Sequence, residues 1–112
     1  MIYLPILLFA AAAALGVIIL SQWLRKRQAP KTVIYSHGGA AAAALVLLIV
    51  YALQNPDNFP RLGLILLIVA ALGGFVLFFA EMFAEKRLIP VGVLHALIAV
   101  GGFLALVLFA FG

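Results

Sequence analysis

The chain contains no cysteine, and only three of its 112 residues are acidic. The first absence removes disulfides, iron–sulfur clusters, thiolate zinc sites and c-type haem attachment together. The second, set beside seven Lys and Arg, leaves 9% of the chain charged against 69% hydrophobic, with a mean hydropathy of +1.36. Charges this sparse cannot cover the apolar surface of a water-soluble domain, so the bilayer is the expected solvent. Glycine-rich phosphate loops, hydrolase nucleophile elbows and catalytic triads are also missing. An electron carrier or accessory subunit is therefore expected before an enzyme.

What remains is apolar sequence in four runs, about residues 2–24, 33–53, 62–83 and 91–111. Each approaches the ~20 residues a helix needs to cross the hydrocarbon layer. The expected fold is an all-α integral membrane protein, a single membrane domain over residues 1–112. Its four transmembrane helices form an up-down-up-down bundle of two tandem helical hairpins. Pro5 falls in the first turn of the first helix, and Pro30, Pro60 and Pro90 mark the starts of the others. The first run carries small residues at Ala10–Ala14 but lacks a basic segment before it, and it reads as a retained span.

Cations concentrate in two of the three links. Arg25, Lys26, Arg27 and Lys31 occupy the first, Lys86 and Arg87 the third, and Arg61 alone stands near the second, with Asp57. The positive-inside rule then makes links one and three cytoplasmic and puts both termini outside, in a bacterial cytoplasmic membrane. The net charge of +4 is an orientation signal and an attraction to anionic lipid, and nucleic acid is not an expected partner.

The two halves, about 1–57 and 58–112, repeat one another. At a shift of 58, Ala12 falls on Ala70, Gly16 on Gly74, Val33 on Val91 and His37 on His95; at a shift of 60, Lys26-Arg27 meets Lys86-Arg87 and Pro30 meets Pro90. Trp23 stands where the second half has Glu81. Both hairpins start on the same side, so this is a parallel repeat about an axis along the membrane normal.

His37 and His95 carry the chemistry. An imidazole in lipid is costly and is a candidate functional group. Two at one depth, on parallel helices at diagonal corners, are placed to bind one iron from opposite sides. One b-type haem between His37 and His95 as axial ligands is the leading expectation, in a small membrane electron-transfer protein or subunit. Arg25, Arg27, Lys31 and Arg87 are candidates for the propionates, and Gly38 and Gly39 for ring space. Glu81 and Gln22 are candidates to support the ligands, with Glu81 setting a histidine tautomer. Quinone is a candidate redox partner. Zinc is disfavoured because it wants three or four protein ligands.

In arrangement the chain resembles membrane b-type cytochromes, which hold haem between histidines of a four-helix bundle. It departs from their two-haem members, since one histidine pair allows one haem. It is similar to small multidrug transporters in length and helix number alone, because its first helix lacks the glutamate they depend on. Two other readings stand beside haem. One is a non-catalytic structural or assembly subunit of a larger membrane complex or homo-oligomer, packing through Gly/Ala faces. The other is a small transporter or channel.

Overall fold

A computed structural model describes residues 1–112 as four helices. These are α1 (Tyr3–Leu24), α2 (Lys31–Gln54), α3 (Arg61–Ala84) and α4 (Ile89–Phe111). All four are long and apolar enough to cross a membrane. They lie within two residues of the spans read from hydropathy. The largest differences are the starts of α2 and α4. Pro30 caps α2 with an extended backbone, so the helix begins at the polar Lys31 that hydropathy discards. In α4, Pro90 sits inside the first turn, where its missing N–H costs no hydrogen bond.

The helix ends at the two basic links turn without glycine. Glu85 closes α3 in the left-handed region (φ 53°), and the Lys86 N–H reaches back to the Ala80 carbonyl at 2.9 Å. Lys26 adopts the same conformation (φ 59°) just past α1. A side chain in that region costs roughly 1 kcal/mol, which the charged residues of these links carry in place of glycine.

The helices pair as hairpins, α1 on α2 and α3 on α4, joined by lighter α1–α4 and α2–α3 junctions. The bundle measures 44 × 19 × 19 Å, and α2 and α4 occupy diagonal corners. Its interior repeats with the sequence. The buried positions include Ile2 and Pro60, Pro5 and Gly63, Phe9 and Leu67, Ala12 and Ala70, Ala44 and Gly102, and Leu48 and Leu106. The members of each pair are 58 residues apart. Leu48 and Leu106 are wholly enclosed and anchor the core toward the end that holds both termini. Midway along the bundle the interior is lined by Ala12, Ala70 and the glycines beside them, which lets the helices approach closely, and nearer the basic end Leu77 and Trp23 are buried.

Candidate functional site: a pair of stapled histidines

His37 and His95 are each the seventh residue of their helix, about 9 Å along it at 1.5 Å per residue. Each imidazole bonds the facing helix of its own hairpin. His37 Nδ1 lies 2.7 Å from the Ala12 carbonyl oxygen, and His95 Nδ1 lies 2.7 Å from that of Ala70. A carbonyl only accepts, so Nδ1 must carry the proton in both rings. In the neutral imidazole this leaves the lone pair on Nε2, the tautomer that metal-binding histidines use when a backbone carbonyl orients them.

The local sequence explains the fit. Ala12 and Gly16 are four residues apart on α1, and Ala70 and Gly74 are four apart on α3, so each pair lies one turn apart on one face. The carbonyl of the first residue accepts the imidazole N–H, and the missing side chain of the second makes room for the ring. A Cβ added at Gly16 would stand 3.0 Å from Cε1 of His37, and one at Gly74 3.3 Å from Cε1 of His95. Gly73 borders His95 as well, its hypothetical Cβ 3.7 Å from Nδ1. An alanine-glycine notch on one helix thus receives a histidine from the next, once in each hairpin.

The two notches bring the rings together. Their centroids are 6.3 Å apart and their planes nearly perpendicular, at 84°. Neither Nε2 is hydrogen-bonded within the chain, and both side chains are partly buried. Nowhere do three or more His, Asp or Glu side chains group as metal ligands.

The other candidate residues are arranged differently. Backbone carbonyls, not the Glu81 carboxylate, orient both histidines. Glu81 instead lines a separate cavity with Glu85, Lys31 and Gln28. The Gln22 carbonyl accepts the Arg27 N–H at 2.8 Å and helps close α1. Arg25, Arg27, Lys31 and Arg87 are exposed at the end of the bundle nearest the histidines. Gly38 and Gly39 are exposed on α2, where an added Cβ meets nothing within 4 Å, so the glycines against the imidazoles are Gly16, Gly73 and Gly74. Among the aromatics, Trp23 is buried against Gly92, Phe78 packs edge-on to Tyr35, and Phe79 and Phe83 stack on the outside of α3.

Comparison with known proteins found no matching family, no similar curated protein and no similar solved structure.

Proposed function

We propose that this chain is a small membrane electron-transfer protein or subunit in which His37 and His95 ligate one b-type haem. The observation that carries the reading is the pair of Nδ1-anchored imidazoles, each with its Nε2 lone pair unused, at a centroid separation of 6.3 Å. Imidazoles bound to one metal ion from opposite sides, with bonds of about 2 Å, hold their centroids roughly 6 Å apart. The haem supplies one-electron chemistry. The chain's part is to hold the ligands in one tautomer through the Ala12 and Ala70 carbonyls, which also raises imidazole basicity. Arg25, Arg27, Lys31 and Arg87 supply positive charge for propionates at the near end. In this reading links one and three face the cytoplasm of a bacterial cell, both termini face outward, and quinone or a larger membrane complex exchanges electrons with the haem.

A second reading draws on the same hydrogen bonds. Each histidine ties α1 to α2 or α3 to α4, which suits a structural subunit that binds nothing. An optical spectrum separates the two. Protein purified in detergent from haem-replete cells is expected to show a Soret band, with sharp α and β bands after dithionite. Both His37→Ala and His95→Ala should lose them. A colourless wild-type preparation with full helical content overturns the haem assignment and leaves the structural reading.

A further inference from the structure

The repeat fails at one level, and the failure opens a cavity. Trp23 on α1 corresponds to Glu81 on α3, and Gly92 on α4 corresponds to Ile34 on α2, each at the 58-residue shift. At the α1–α4 junction the indole closes the space. Trp23 is 5% exposed, and a Cβ on Gly92 would stand 3.4 Å from its Cζ3. At the α2–α3 junction the counterparts Glu81 and Ile34 leave a cavity of about 200 Å³, lined also by Gln28, Lys31, Met82 and Glu85.

Its walls differ in charge. Lys31, the first residue of α2, supplies a cation, and Pro30 provides no side-chain cap, so the Lys31 and Thr32 amides have no partner within the chain, whereas Val33 donates to the Pro30 carbonyl at 3.0 Å. Glu81 and Glu85 supply two carboxylates, and Ile34 and Met82 an apolar surface. Lys31 does not come within 4.0 Å of either carboxylate, so the opposite charges face each other across the space without pairing. The cavity lies where α2 begins and α3 ends, at the basic end of the bundle.

We propose that this cavity binds a phospholipid with a primary-amine headgroup, of the phosphatidylethanolamine class. The Lys31 ammonium and the Lys31 and Thr32 amides take the phosphate, the Glu81 and Glu85 carboxylates take the ammonium, and an acyl chain leaves past Ile34 and Met82. A primary ammonium carries three N–H donors for the two carboxylates, whereas a quaternary choline carries none. A glycerol headgroup lacks the cation. The broken symmetry explains why one junction is closed by an indole while its twin stays open and charged. The proposal does not depend on haem.

The test uses the full chain, delipidated in detergent and offered phosphatidylethanolamine, phosphatidylcholine, phosphatidylglycerol or soluble phosphoethanolamine. Native mass spectrometry reads the lipid retained. Phosphatidylethanolamine is expected to be held about tenfold more tightly than the other two lipids, with soluble phosphoethanolamine competing poorly. The double variant Glu81→Gln/Glu85→Gln should bring the ethanolamine-to-choline preference close to unity, and Lys31→Ala should weaken ethanolamine-lipid retention. His37→Ala should keep the preference, so a failed haem assignment leaves this result standing. Equal retention of the three lipids by the wild type overturns the proposal, as does a preference that survives loss of both carboxylates. Competition by phosphoethanolamine as strong as by the lipid overturns the lipid assignment.

Discussion

Alanine at three glycines should give three different outcomes, each set by what the new Cβ meets. At Gly63 the wall is backbone. The Cβ would lie 3.1 Å from the Leu106 nitrogen, 3.2 Å from the Gly102 carbonyl and 3.4 Å from the Leu106 Cα. No rotamer relieves these contacts, so α3 must move off α4 where Gly102 already packs tightly on Leu67. Overpacking of this kind costs about 1–3 kcal/mol. Gly→Ala in a helix returns up to about 1 kcal/mol of propensity, leaving a net loss of about 0–2 kcal/mol. At Gly16 the wall is the His37 ring, 3.0 Å away and held by its bond to Ala12. Relief is available only by stretching that bond, a loss of about 1 kcal/mol before the propensity gain. At Gly38 the space is open, so the substitution should be neutral or stabilising by a few tenths of a kcal/mol. Reversible unfolding in mixed micelles, followed by circular dichroism, ranks the variants. Because the propensity gain is common to both, Gly63→Ala and Gly38→Ala should differ by the overpacking cost, about 1–3 kcal/mol, roughly fivefold or more in the unfolding constant. Stabilities within ~0.5 kcal/mol of each other would refute the packing argument.

Two further outcomes follow from the repeat and the core. His37→Ala and His95→Ala, measured without added haem, should each cost about 0.6–1.7 kcal/mol, the range for one interhelical hydrogen bond in lipid. The two costs should agree within ~0.5 kcal/mol, since the hydrogen bonds are matched; a costly loss at one site and none at the other in the unfolding assay would break the equivalence. Leu48→Ala and Leu106→Ala each empty roughly 80 Å³ at positions with no exposed surface, which at ~24 cal/mol per Å³ predicts a loss near 2 kcal/mol. Leu62→Ala and Leu108→Ala, on the outer surface, should stay within ~0.5 kcal/mol of the parent under the same assay.

Much of this arrangement is legible in the sequence, and the rest is hidden for definite reasons. Hydropathy finds the four helices because each needs one long apolar run. Proline finds their starts. The shift of 58 aligns Ala12, Gly16 and His37 with Ala70, Gly74 and His95, the three parts of each notch. Their contact is not legible, because every residue carries a carbonyl and nothing in the sequence marks the one that accepts the imidazole. The facing of the helices is also concealed. A soluble helix advertises its inner face by amphipathic contrast, but here outward-facing and buried positions are equally apolar. Gly38 and Gly39, next to His37 in sequence, therefore read as neighbours of the site and stand outside it, while the distant Gly16 and Gly74 adjoin the rings. The Trp23–Glu81 mismatch is visible as a departure from the repeat. Its consequence needs the geometry, since only the packed junctions distinguish a filled space from an open one.

The notch accounts for where each histidine sits, but it leaves the choice of histidine unexplained. Tying one helix to the next requires a single donor aimed at a carbonyl, and serine or threonine supplies one with less polar surface to bury. The imidazole brings a second nitrogen that the staple does not use. That second nitrogen occurs twice, in partly buried rings that the two hairpins bring to 6.3 Å across the diagonal of the bundle. The repeat sets the two rings at one depth, so it is the unused nitrogen of each, not their proximity, that a pure packing role leaves unexplained. In the haem reading proposed above, the hydrogen bond to Ala12 or Ala70 fixes the tautomer that leaves Nε2 free to ligate, so one imidazole does the work of both staple and ligand.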